Sequence, residues 1–214
     1  ENAWHDCRNA TPYTARLENI DDGTYLETVV AGVVAEHELD AARVFGLGYS
    51  NGAHMLYRMA AESAGTFAGI EVNAANYSAA ETYACEPLTE PVSVILVEGT
   101  ADPLNPYEGG KAGFAGQDLG YVLSAQDSAL MLAELNGVAD DVTESVVGGT
   151  EGEAGAVTLT AYGADTATPV LLYTVEGGGH VIPNPVTSLP RLGGGTTEFL
   201  NAPAVAWEVF SQLP

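Results

Sequence analysis

The segment Arg43-Val44-Phe45-Gly46-Leu47-Gly48-Tyr49-Ser50-Asn51-Gly52-Ala53-His54 constrains this chain more than any other. A short apolar strand enters Gly-x-Ser-x-Gly, and a helix leaves it near Ala53, with Met55, Leu56, Met59 and Ala60 as its apolar positions. A strand and an apolar-periodic helix joined by that turn make the sharp corner that lifts a serine hydroxyl above a sheet. Ser50 must adopt strained, positive-φ angles there, and a side chain at position 48 or 52 is expected to strike the neighbouring strand or helix. The helix N-terminus then aims N–H groups and partial positive charge at the space above Ser50, where an oxyanion would form. The Asn51 N–H is the first donor expected there.

The remaining segments predict an α/β protein with a mostly parallel sheet and helices on both faces. Residues 1–20 have no sustained period and read as a loop held by Trp4 and Cys7. Asp21-Asp22 caps a helix running to about His37, with Tyr25, Leu26, Val29, Val30, Val33 and Val34 at helical spacing. Strands are expected over residues 67–74, 92–98 and 169–175, a hairpin over 141–161, and helices over 124–136 and 198–212. The run at 92–98 is apolar throughout, as a parallel strand covered on both faces requires. With 214 residues and 46% hydrophobic content, one core and one domain over residues 1–214 are expected.

Charge narrows the partners. There are 29 acidic residues against 6 basic ones, with Lys111 the only lysine, for a net charge of −23. Such a surface lacks the cations that neutralise phosphates, so no nucleic acid and no anionic membrane is expected as a partner. No run of eighteen apolar residues occurs, and a soluble chain without a targeting segment is expected. The acidic excess also predicts a stability that rises with salt. Cys7 and Cys85 are the only cysteines; an even pair fits one disulfide and an oxidising, secreted setting, with two buried free thiols as the alternative. Neither has a second Cys or His at ligand spacing, so no metal is expected.

Three reactive groups follow three separate strands. Ser50 follows the first, Asp102 lies just past residues 92–98 in Gly99-Thr100-Ala101-Asp102-Pro103, and His180 follows residues 169–175 through Gly177-Gly178-Gly179. The order Ser, Asp, His is that of α/β-hydrolases and excludes the chymotrypsin and subtilisin orders. A serine hydroxyl is too weak an acid to attack an ester unaided. A neutral His180 would take its proton, and a buried Asp102 would fix the imidazole tautomer.

The ordered set of motifs resembles the polyhydroxybutyrate depolymerase and feruloyl esterase family of secreted α/β-hydrolases. Trp4 and Cys7, Asp21-Asp22, Gly48-Tyr49-Ser50-Asn51-Gly52, Thr100-Ala101-Asp102-Pro103, Pro106-Tyr107-Glu108-Gly109-Gly110, Leu135-Asn136-Gly137 and Gly178-Gly179-His180 with Pro183 carry the resemblance over most of the chain. It implies hydrolysis of carboxylic esters, from short acyl and aryl esters to polyesters, without a cofactor. Ile182 and Asn184 depart from the family, which usually has a tryptophan and a glycine there. The family's opening strands, and the His-Gly loop that gives a second oxyanion N–H, have no counterpart in residues 1–20. The elbow strand is therefore expected to have an unpaired edge, which soluble proteins avoid. A front portion preceding Glu1 is expected, the rival being a minimal hydrolase whose edge is covered by another segment or by a second subunit in a dimer.

Tyr49, Tyr107, Trp4 and Ile182 are the candidate substrate-binding residues, since ester pockets need mostly apolar walls; core packing is the competing role for the aromatic three. His54 is expected to pack in the core, and His37, His5 and Asp6 to lie at the surface. Asp118, Asp127 and Asp165 lie on loops or helices rather than after a strand, and Glu98 is expected to point away from the site. A non-catalytic α/β-hydrolase-like binding domain, or a peptidase or acyltransferase on the same scaffold, are the alternatives to an esterase.

Overall fold

The computed structural model describes residues 2–114, 116–186 and 194–213. Its sheet has six strands: β1 (Phe45–Tyr49), β2 (Gly69–Asn73), β3 (Ser93–Gly99), β6 (Val142–Gly148), β7 (Val157–Tyr162) and β8 (Val170–Val175), ordered β1-β2-β3-β8-β7-β6. The first four in that order run parallel, β7 runs antiparallel to β8, and β6 pairs antiparallel with β7 as the expected hairpin. Two residues of β4 (Gly110–Lys111) pair with β5 (Tyr121–Val122) apart from the sheet, inside a segment that the sequence marks only by its glycines.

Helices cover both faces. Against one pack α3 (Asn51–Glu62) and α4 (Ala125–Leu135), burying Ala53, Leu56, Tyr57, Ala125, Ala129 and Leu132 on Ile70, Val72, Val94, Leu96 and Leu172. Against the other packs α5 (Ala202–Phe210), with Ala202, Ala206 and Phe210 on Ile95, Val97, Leu171 and Tyr173. The start of α4 is fixed by the Ser124 hydroxyl accepting the Asp127 N–H at 2.9 Å, and Gly137 ends it at φ 71.

One finding corrects the sequence expectations. Residues 1–20 are not all loop, since Thr14–Leu17 form the short helix α1. The helix α2 (Asp22–Glu36) forms with its Asp21 cap, but its apolar positions Tyr25, Val29 and Val33 stay exposed, and only Asp22 and Gly23 are buried. Helical period alone does not say that a stripe meets a core. β1 stands at the sheet edge: among the described residues it pairs only with β2, and Leu47 is exposed. Among the described residues no helix is long and apolar enough to cross a membrane.

Candidate active site

The corner at Ser50 is built as the local sequence demands. Ser50 has φ 53 and caps α3, and its N–H donates to Asn73 O at the end of the neighbouring β2, 2.9 Å away. A Cβ on Gly48 would lie 2.6 Å from Ala53 Cα and 2.7 Å from Ala53 N, so only glycine lets the strand turn into the helix so tightly. Gly52 differs from its expected role. A Cβ there would meet only Trp4 Nε1, at an ordinary 3.9 Å, so no strand or helix requires a glycine at that position.

The three groups named from their strand-end positions converge. Ser50 Oγ lies 2.9 Å from His180 Nε2, and His180 Nδ1 lies 2.8 Å from Asp102 Oδ2. The carboxylate's other oxygen accepts the backbone N–H groups of Leu104 at 2.8 Å and Asn105 at 2.9 Å. Asp102 and His180 are buried. An ionised Asp102 accepts from Nδ1–H, leaving Nε2 free to take the Ser50 hydroxyl proton. The turns carrying Asp102 and His180 touch through backbone: Ala101 N–H donates to Gly178 O at 2.8 Å, and a Cβ on Gly99 would fall 2.3 Å from that oxygen.

Asn51 does more than begin α3. Its N–H is among the first of the helix, which have no intrahelical acceptor, and it stands next to Ser50 where a developing oxyanion could use it. Its side chain locks the amino-terminal segment to the corner: the amide oxygen accepts Trp4 N–H at 2.7 Å, and the amide nitrogen donates to Trp4 O at 3.0 Å and to Asp6 Oδ2 at 2.5 Å. Asp6 is buried and ion-paired with Arg8, contrary to the surface position expected for it. The Cys7–Cys85 disulfide ties the same segment to the loop before β3. Cys7, Glu62 and Cys85 lie within 4.8 Å of one another, but sulfurs joined to each other offer a metal no thiolate.

The candidate substrate-binding residues divide. Tyr49 is half-buried, 5.1 Å from the His180 ring between centroids, and its hydroxyl donates to His180 O at 2.8 Å. Burial, and then the Asp102 charge, raise its pKa. Trp4 is half-buried beside Gly52 and stacks on Tyr25 at 6.4 Å. Tyr107 is a correction: it is buried in the core of the α3 and α4 face, and its hydroxyl meets Thr174 Oγ1 at 2.8 Å and accepts from Gln126 Nε2 at 2.7 Å. The short turn from Asp102 to Tyr107 leads back under α4 instead of along the rim. Ile182 packs against the core under α5.

His54 is buried as expected, with a pKa held well below the usual value by burial, then by the Arg8 and His180 charges. Asp118 pairs with Lys111 at 2.8 Å, and Asp127 bonds the cap of α4, so neither competes with Asp102. Glu98 is a further correction. It is buried at the end of β3 and faces the Asp102 turn, because the strand register puts its side chain on the face where that turn folds back.

No protein-family model matches the chain. It is 31% identical over 98 residues, 46% of its length, to "Putative esterase NocK" of Nocardia uniformis subsp. tsuyamanensis, and spans 28% of that protein. The fold is similar to that of an acetyl xylan esterase from Aspergillus awamori, with a TM-score of 0.54 at 15% identity, covering 88% of this chain and 66% of that one. The parallel sheet, the serine corner and the helices on both faces are those of an α/β-hydrolase fold.

Proposed function

We propose that this protein is a serine hydrolase of carboxylic esters working through an acyl-enzyme. Ser50 attacks the ester carbonyl, and His180 takes the hydroxyl proton and returns it to the leaving alcohol. Asp102 holds the imidazole in the required tautomer and stabilises its charged form, and the Asn51 N–H is one donor to the oxyanion. Water then attacks the acyl-enzyme with His180 again as base, releasing the acid. The observation that carries this proposal is the unbroken line from Ser50 Oγ through His180 to Asp102, with hydrogen bonds of 2.9 and 2.8 Å. The partial likeness to an esterase supports it.

At the finer level we propose aryl or feruloyl esters and polyesters as the substrate class, Trp4 and Tyr49 as the rim that meets the acyl or aryl group, and residues 1–214 as one catalytic domain. No cofactor, nucleic acid or membrane enters this scheme. Secretion is part of the proposal, and the Cys7–Cys85 disulfide fits an oxidising compartment.

Ser50→Ala should abolish hydrolysis of p-nitrophenyl butyrate, and a fluorophosphonate should label Ser50 in the native protein. Label on another residue, or native rates in the variant, would overturn the assignment.

A further inference from the structure

Behind the Asp102–His180 pair lies a second buried carboxyl. Glu98 is 1% exposed and reaches two turns at once. Its Oε1 accepts the Ala75 N–H at 2.9 Å, and its Oε2 receives the Asn105 side-chain amide at 3.4 Å. Asn105 in turn donates its backbone N–H to Asp102 Oδ1 at 2.9 Å. On the other arm, Ala75 follows Ala74, a non-glycine residue at φ 54 whose N–H donates to Val97 O at 3.0 Å. Before it stands Asn73, whose carbonyl receives the Ser50 N–H at 2.9 Å. These links close a ring through Ser50, His180, Asp102, Asn105, Glu98 and residues 73–75, in which Glu98 is the strut joining the acid's turn to the turn that supports the nucleophile.

A carboxyl in that place needs a physical reason. A leucine of similar size would fill the volume but leave the Ala75 N–H and the Asn105 amide buried without partners, at about 1–3 kcal/mol each. The titratable groups facing Glu98 are Asp102 across Asn105, Tyr57 from α3 and Tyr107 from the loop after Asp102, with no cation among them. Burial first, then the Asp102 charge, push its pKa well above the usual carboxylate range against the Ala75 and Asn105 hydrogen bonds, which favours its neutral form. Asn105 Oδ1 has no hydrogen-bond partner, and turning that amide over would hand the Glu98 O–H an acceptor.

We propose that Glu98 is a positioning residue which, through Asn105 and the Ala75 N–H, holds the Asp102 turn in register with the β2 turn on which Ser50 leans. This rests on reading Ser50, His180 and Asp102 as the catalytic triad. Glu98 touches no reacting atom, so its loss should lower turnover rather than substrate binding.

The test compares kcat and KM for p-nitrophenyl butyrate in the full chain. Glu98→Leu should lower kcat by roughly 10²-fold, the scale of a misplaced catalytic group, with KM little changed. Glu98→Gln, which keeps an acceptor for Ala75 and an amide for Asn105, should restore kcat to within about threefold of the native value, and its acid limb of kcat/KM should superimpose on the native one, since one neutral group replaces another. Should Glu98→Leu fail to fold, Asn105→Ala cuts the same link with both carboxyls in place and should lower kcat by about tenfold. Native kcat in Glu98→Leu or Asn105→Ala, a loss confined to KM, a Glu98→Gln as damaged as Glu98→Leu, or an acid limb displaced in Glu98→Gln would overturn the proposal and leave the triad standing. A native protein that neither hydrolyses the ester nor takes the fluorophosphonate at Ser50 would overturn the triad, and this proposal with it.

Discussion

Single residues set the spacing of the site. Gly99 lets β3 end against Gly178, where a Cβ would lie 2.3 Å from the carbonyl oxygen, and that approach brings the Asp102 and His180 turns together. Gly99→Ala should cost about 1–3 kcal/mol through overpacking against backbone that cannot yield, and should lower kcat roughly ten- to a hundredfold by parting the two turns. Gly52→Ala, whose added carbon meets only Trp4 Nε1 at 3.9 Å, should melt like the native protein. Thermal melts and ester kinetics on both variants check this, and native behaviour in Gly99→Ala would show that the close approach is dispensable. Ser50, Asp102 and His180 were legible because each follows a strand, where side chains gather at one rim. Tyr107 was not, because its direction depends on Thr174 and Gln126, contributed by elements that its own neighbours do not specify.

At the scale of elements, β2 is buried along its whole length and includes a carboxyl in mid-strand. Burial pushes Glu71 up to about 7 from an ordinary 4.5, against a hydrogen bond from Asn73 Nδ2 at 2.6 Å. Between those values the folded chain holds the proton that the unfolded chain has released, so stability falls as pH rises, and the full cost is present above the folded value. Glu71→Gln should therefore gain on the native protein by about 3 kcal/mol between about pH 4 and about pH 8 in denaturant titrations. An equal gap at both pH values would mean that Glu71 ionises in the fold as it does in water. Periodicity identified α2 correctly, but which stripes are buried depends on the neighbours present, and Tyr25, Val29 and Val33 stay exposed, Tyr25 with only the Trp4 ring stacked on it.

Across the whole molecule, a net charge of −23 on 214 residues makes self-repulsion a property of the fold rather than of any pair. Screening it should raise the melting temperature by at least about 3 °C between low and about 1 M NaCl, the shift that about 1 kcal/mol produces in a domain of this size. A flat response would show that the acidic groups are spaced widely enough not to interact. The edge at β1 also belongs to this scale. An unpaired edge for the elbow strand was expected from residues 1–20, and β1 is outermost in the described sheet. Coverage of that edge by a second subunit is a proposal that the oligomeric state in solution would test.

By itself the sequence determined the main strands and helices, though not α1, β4 or β5, together with the serine corner and the chain order of the three reactive groups. Each of these follows from local sterics, hydrophobic period and position at a strand end. Only the tertiary structure decided that β8 lies beside β3, which brings His180 to Ser50 across 130 residues and to Asp102 across 78, that Asn51 clasps Trp4, and that Glu98 turns inward behind the acid. Such contacts depend on which strands become neighbours and in what register, and that choice is made by the packing of both sheet faces together, not by any segment's own pattern.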